Sequence, residues 1–191
     1  MDNHLLIQVV AGLGNQLFEL ATAYELSIKY NRKLIVCIKN GAGNRGTYWD
    51  NILSFFKPCL VDNNTFQNLK KKSTKYSWAV TKFHYKEIIL NKNVKSYCLE
   101  GYYQSHKYFL KEHCEKIFNF NEKYNENTQE LQQLVEKIQD NDLALHIRRT
   151  DYLKNNFHKV LSIDYYKNAI KFLKDNKNLK INKIYIFSDD I

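Results

Sequence analysis

Long apolar runs are missing from this 191-residue chain. No 18-residue stretch is free of polar residues, and the most apolar N-terminal run, 5–26, is interrupted by Gln8, Asn15, Gln16, Glu19 and Glu25. That run therefore reads as neither a membrane span nor a signal segment. Proline occurs once and glycine six times, too few for a collagen-like or low-complexity chain. The four cysteines, at 37, 59, 98 and 114, contain no CxxC spacing, which argues against a small disulfide-held scaffold. Cys37 and Cys98 lie in apolar, strand-like runs and read as buried reduced thiols, which suits a cytoplasmic location. Arginine is scarce as well, supplying only 4 of the 29 basic residues. Nucleic-acid binders concentrate charge and use arginine forks, whereas lysine here is spread along the chain with one compact run, Lys70-Lys71-Lys72. Nucleic acid is not the expected partner, although a net charge of +9 favours an anionic ligand such as a nucleotide.

With 44% hydrophobic and 14% aromatic residues, the chain has ample material for a core, and disorder is excluded. Its length fits one large domain, or one domain and part of a second. Hydrophobic periodicity alternates between strand and helix. Residues 4–10 (HLLIQVV) read as a buried strand running into a tight turn at Ala11-Gly12-Leu13-Gly14, with Asn15 as a helix cap. Apolar positions 17, 20, 21, 24 and 28 predict a helix over 17–30, and 33–38 (KLIVCI) a second strand. This β-turn-α-β opening is the unit of a parallel sheet. Gly41, Gly43 and Gly46 mark a loop, 55–78 shows no clean period, and the lysine-rich 70–75 stretch reads as a solvated loop or helix end. Further strands are predicted over 94–103, 142–149 and 181–187, and helices over 104–113, 128–138 and 162–174. His106, His113 and Cys114 read as surface residues of a polar helix. The polar stretch at 121–141 is the expected boundary, dividing the chain into 1–138 and 139–191.

Three polar clusters each follow the carboxyl end of a predicted strand, where open α/β sheets bind ligands. In the first, Gly12-Leu13-Gly14-Asn15-Gln16, Leu17 spoils the GxGxxG spacing. Gly12 and Gly14 permit a tight turn, and the following helix start offers N–H groups to an anion; an ordinary strand-to-helix turn explains the cluster as well. The second is His146-Ile147-Arg148-Arg149-Thr150-Asp151 and holds half of the arginines. In a lysine-using sequence, guanidinium forks point to bidentate grip on phosphate or carboxylate. Strand alternation sets Leu143, Leu145 and Ile147 on one face and His146 and Arg148 on the other, with Arg149 at the strand's mouth and Asp151 near enough to orient either guanidinium. A surface ion-pair cluster is the competing reading. The third, Ser188-Asp189-Asp190, offers acceptors for sugar hydroxyls or a basic group, or simply forms a turn. No HExxH, P-loop, GxSxG or Cys/His spacing is present, so no metal site is expected.

Five blocks in order, GLGNQLFELATAYELS (12–27), EGYYQSHKYF (100–109), LHIRRTDY (145–152), VLSIDYYKNAI (160–170) and IYIFSDD (184–190), resemble the α-1,2-fucosyltransferases of glycosyltransferase family 11. The resemblance covers nearly the whole chain, most weakly at 40–92. It implies an α/β, GT-B-like fold of two Rossmann-like units with the second one incomplete. Residues 1–138 would then be the acceptor-side domain, and 139–191 the start of the GDP-fucose-binding one. It also implies metal-independent, inverting transfer of L-fucose from GDP-fucose to a sugar hydroxyl, in α-1,2 linkage and often on galactose, with no cofactor. The motif arginines fall on Arg148 and Arg149, which would hold the donor diphosphate, and its acid on Asp151; Arg148 and Asp151 are the implied catalytic pair. Donor contacts fall on Gly14, Asn15, Gln16, His146, Arg148, Arg149, Ser188 and Asp189. Asp151, Glu19 and His146 are candidates for the base that deprotonates the acceptor hydroxyl. In two respects this sequence departs from the family pattern. Ala11 stands where a glycine usually precedes Gly12, and family members continue well past FSDD. The second departure carries an alternative, a shortened and inactive GDP-binding or interaction protein on the same fold, or a partner chain that completes it. A nucleotide sugar and a glycan acceptor are the expected partners, with no integral membrane segment and peripheral membrane association left open.

Overall fold

The computed structural model describes residues 3–38, 48–50, 52–78, 84–118, 128–150, 152–154, 159–177 and 179–190. The expected loop at Gly41, Gly43 and Gly46 lies outside them, as do Asp151 and His158. The chain divides into two compact units, residues 1–125 and 126–191. The helix at 128–137 thus falls in the second unit, whereas a division at 138 assigns it to the first.

In the first unit, β1 (His4–Val9), β2 (Lys33–Ile38), β3 (Thr74–Ser77) and β4 (Ser96–Glu100) form a sheet in the order β2-β1-β4-β3. All three pairings are parallel, so every strand delivers its carboxyl end to the same edge. Strands covered on both faces read as continuous apolar runs, and β1 obliges. Its Leu5, Ile7 and Val9 pack with Leu20, Ala23 and Leu26 of α1 (Leu13–Lys29), while Leu6 packs on the other face with Phe66 of α2 (Asn63–Lys71). The buried thiols expected at Cys37 and Cys98 sit on that second face.

α1 begins four residues earlier than its apolar period, because Gly12 is the N-cap and Asn15 lies within the first turn rather than capping it. The helix ends in a Schellman motif, with Asn31 left-handed at φ 46°, Asn31 N donating to Ile28 O and Arg32 N to Ser27 O. Residues 55–78, aperiodic in sequence, hold a 3₁₀ turn (Ser54–Cys59), α2 and β3. Asp62 caps α2 through Thr65 N at 2.9 Å; the helix ends at Lys71, inside the stretch expected to be loop or helix end, and β3 takes only its last two residues, Thr74 and Lys75. These elements are short and bury single residues, such as Phe56 and Phe66, so no period develops. The helix expected over 104–113 is instead a 3₁₀ turn (His106–Tyr108) followed by α3 (Lys111–Ile117). Leu110, in extended backbone, separates the two. His106 is exposed, as expected. His113 is not a plain surface residue: its Nδ1 lies 2.8 Å from Glu25 Oε2, and its ring stands edge-on to Tyr24. Cys114 packs against the core.

The second unit has α4 (Thr128–Lys137), β5 (Leu143–Ile147), α5 (Ile163–Lys177) and β6 (Ile184–Ser188). β5 and β6 are parallel neighbours, and Tyr185 Oη donates to Lys137 O at the end of α4. Both units are therefore parallel α/β structures. Among the described residues, no helix is long and apolar enough to cross a membrane.

Arg32, only 5% exposed, holds the amino-terminal edge of the first sheet. Its Nη2 donates to Val94 O at 2.7 Å and Asn91 O at 3.1 Å, and its Nη1 to Lys95 O at 3.2 Å. Its guanidinium also stacks 5.1 Å from the Tyr97 ring centroid. The expectation that arginine marks anion grip thus fails at Arg32, where the fork ties the turn at Asn91–Lys95 to the start of the sheet through main-chain carbonyls. We expect Arg32→Ala to cost about 3 kcal/mol. Arg32→Lys should recover less than half of that, since a point charge cannot fork. Urea unfolding midpoints measure both, and an unchanged Arg32→Ala midpoint would contradict the assignment.

Candidate functional site

Parallel pairing places the second and third sequence clusters side by side. The β5–β6 register sets Leu143 opposite Ile184 and Ile147 opposite Ser188, so both strands end together. Arg149 N donates to Asp189 Oδ1 and Thr150 Oγ1 to Asp189 Oδ2, each at 2.7 Å. Those two bonds, the Thr150 hydroxyl first, hold the Asp189 carboxyl below the usual carboxylate range. Arg149 Nε donates to Asp190 Oδ2 at 2.9 Å. The Asp190 backbone is fixed in turn by Ser188, whose Oγ donates to Asp190 O at 3.0 Å and accepts from Asp190 N at 3.1 Å. Arg148 stands with its guanidinium carbon 4.8 Å from the Tyr152 ring centroid.

Beside this lock lies a pocket of about 410 Å³. Ile147, Leu161, Ile163, Tyr166 and Ile186 give it apolar walls, and Arg149, Ser188 and Asp190 a polar rim. Ile163 is 63% exposed and Ile186 62%, so the walls present open apolar surface to a planar or sugar group. The Arg149 side chain is 46% exposed and faces the same space. A guanidinium beside an apolar slot suits a ligand with a flat ring and an anionic tail.

The predicted residues are only partly gathered here. Arg149 and Ser188 line the pocket, and Asp189 fixes the loop behind it. His146 is exposed on the opposite face of β5, in register with Phe187, as strand alternation requires. Arg148 is not among the pocket's lining residues. Asp190, not Asp189, carries the ion pair to Arg149, and Tyr166 supplies a wall that sequence reasoning left without a role. Their signals were present, an acid beside an acid and an aromatic inside the 160–170 block.

The first cluster lies in the first unit, at the carboxyl end of β1. Gly12 has an ordinary φ of −75°, and a Cβ on Gly14 would meet nothing within 4 Å. The left-handed residue is Ala11, at φ 63°, a position that glycine suits better by about 1 kcal/mol. Two side chains of α1 grip this turn: Glu19 Oε2 accepts from Val10 N at 3.0 Å, and Gln16 Nε2 donates to Ala11 O at 2.8 Å. Asn15 Oδ1 accepts from Gln104 Nε2 at 2.5 Å, joining the 12–27 block to the 100–109 block. Gln104, too, went unread in the sequence. A pocket of about 300 Å³ opens beside the turn, with Gln8, Glu19, Lys70, Glu100 and Tyr102 among its walls. Lys75 and Lys70 contact Glu100 at 2.6 and 3.0 Å; although burial opposes it, they hold that carboxyl below its ordinary value. Among the described residues, no group of three or more His, Cys, Asp or Glu gathers to hold a metal ion.

No protein-family model matches the chain. Curated relatives do. The chain is 29% identical over 202 residues to an alpha-1,2-colitosyltransferase of Escherichia coli, covering 96% of this chain and 68% of that one. It is 29% identical over 221 residues to the Escherichia coli O-antigen biosynthesis glycosyltransferase WbnK, covering 94% and 70%. It is 31% identical over 189 residues to a Caenorhabditis elegans protein with the name "Putative galactoside 2-alpha-L-fucosyltransferase svh-11", covering 94% and 50%. The class that these relatives define is the glycosyltransferases. Within that class the chain resembles the α-1,2-fucosyltransferases of family 11, the likeness already carried by its five sequence blocks.

Burial pushes the Glu19 carboxyl up to about 8 against the opposing Val10 hydrogen bond. The folded chain therefore keeps a proton that the unfolded chain loses near pH 4.5, and Glu19 lowers stability progressively as pH rises toward 8. We expect Glu19→Gln to gain on the wild type by up to about 1.4 kcal/mol per pH unit across that window. Urea unfolding at pH 5 and 8 measures the difference, and a gap that stays constant would contradict it.

Proposed function

We propose that this chain transfers L-fucose from GDP-fucose to a sugar hydroxyl, forming an α-1,2 linkage on galactose with inversion. The observation that carries the reading is the Arg149 lock. Asp189, Asp190 and Ser188 fix the backbone and Nε of Arg149 at the mouth of β5, beside an apolar-walled pocket. On this reading the second unit is the donor side of a GT-B-like enzyme and the first unit the acceptor side.

The chemistry asks for what that arrangement offers. When the bond from fucose to GDP breaks, negative charge grows on the diphosphate while the sugar becomes oxocarbenium-like. A guanidinium already fixed in place binds more tightly as that charge grows, which lowers the barrier without reorganisation. Arg149 fills this role, Arg148 adds a second cation, and Ser188 and Asp189 hold the loop that carries them. The apolar walls of Tyr166, Ile163 and Ile186 take the guanine or fucose ring. Within the first unit, Gly14 and Asn15 are assigned to a sugar on this reading, since the space over Gly14 is open, and Gln16, buried and bonded to Ala11 O, supports the turn that carries them. Asp151 and His146 are the candidates for the base. Glu19 is not: it is 1% exposed and bonded to Val10 N, so an acceptor hydroxyl has no approach to it. The transferase names of the relatives do not favour the inactive alternative.

A GDP-release assay with GDP-fucose and a galactose-terminated acceptor tests the proposal. Wild type should turn over, and Arg149→Ala and Arg148→Ala should each lose about 100-fold or more in kcat/KM. No turnover, or arginine variants equal to wild type, would overturn it.

A further inference from the structure

Glu19 is a costly residue to place where it lies. It is 1% exposed, between Leu20, Ala21 and Ala23 of the helix packed on β1, and burying a carboxyl there needs compensation. Its oxygen accepts from Val10 N, the first amide beyond β1, and the next residue, Ala11, adopts a left-handed backbone without glycine's freedom. Gln16, one helical turn before Glu19 on the same face of α1, donates to the Ala11 carbonyl. The two side chains thus hold both polar groups of the bend, Val10 N–H and Ala11 C=O, against the helix that follows. The same helix turn presents Asn15, already tied to Gln104 on the loop after β4. Lys70, Glu100, Cys98 and Tyr102 line the pocket beside Glu19, and Lys70 is engaged by Glu100 at 3.0 Å.

We propose that Glu19 is a positioning residue for sugar transfer, acting as the hydrogen-bond acceptor that fixes Val10 and so, together with Gln16, sets the β1–α1 turn that carries Asn15 toward the substrate. The proposal rests on the reading that this turn faces the sugars. What it demands of Glu19 is an acceptor oxygen of that reach, not a negative charge. Glutamine satisfies the demand and methionine, of similar length, does not.

Two variants and four readouts decide it. Glu19→Gln should keep kcat within about threefold of wild type and retain slow hydrogen exchange at the Val10 amide. Glu19→Met should exchange Val10 at least tenfold faster and lose about 30-fold in kcat, as expected for a small misplacement of binding groups. GDP affinity, which belongs to the second unit, should stay within twofold in both, and fluorescence of the buried Trp49 reports that the first unit is folded. A Glu19→Met chain as active as wild type overturns the role. So does a Glu19→Gln chain as damaged as Glu19→Met, which would make the ionised carboxylate itself the requirement. Should Glu19→Met not fold, Glu19→Gln decides alone: retained turnover with a protected Val10 amide supports the role, and a loss beyond tenfold overturns it. Absence of turnover in every chain removes the fucosyl-transfer reading itself, and this role with it.

Discussion

Parallel strand pairing makes a sheet deliver all its chain exits to one edge, and in this protein the polar chemistry is concentrated at those exits. Setting Ile147 opposite Ser188 leaves the segments after β5 and β6 no room to diverge. The Arg149 amide, the Thr150 hydroxyl and the two aspartates meet as a consequence of register, not of length or flexibility. A slip of one residue would turn every side chain of the strand over and take the lock apart. The first sheet obeys the same rule: β1 and β4 end together, and Asn15 meets Gln104 between the loops that follow them.

Charge plays two separate roles in such a scaffold. Lysines form salt bridges at the surface, as Lys57 does with the exposed Asp50, and pairs of that kind contribute little individually. The described arginines do work that lysine cannot. Arg32 forks onto main-chain carbonyls, Arg149 is clamped by a carboxylate while half its surface stays open, and Arg148 stacks on an aromatic ring. The scarcity of arginine in the composition was therefore informative. It singled out positions where planar geometry matters, although not all of them for binding an anion.

Much of this architecture was legible beforehand. Apolar period and strand runs located β1, α1, β2, β5, α5 and β6 to within a few residues, because each carries a periodic apolar face, buried in β1 and open at Ile184 and Ile186 of β6. The positions of the polar clusters at strand ends followed from the same periods. What stayed hidden depends on contacts rather than on pattern. No spacing announces that Gly12 rather than Asn15 caps α1, or that the left-handed residue of the turn is Ala11. Short elements such as α2 and β3 leave no period, and the break between His106–Tyr108 and α3 lies in backbone geometry. Within the site, Arg149 and Ser188 were readable as residue types in place. The choice of Asp190 over Asp189 as the partner of the guanidinium was not, since two adjacent acids differ only in which way the turn aims them.

The central claim is that the clamped Arg149 at the mouth of β5 holds a nucleotide diphosphate. Calorimetric titration with GDP tests it most directly, on the wild type, on Arg149→Ala and on Lys70→Ala, which alters a lysine of the first unit. The account predicts one GDP per chain, an affinity at least tenfold weaker for Arg149→Ala, and an unchanged one for Lys70→Ala. Binding that is absent in the wild type, or that survives Arg149→Ala undiminished, would contradict it.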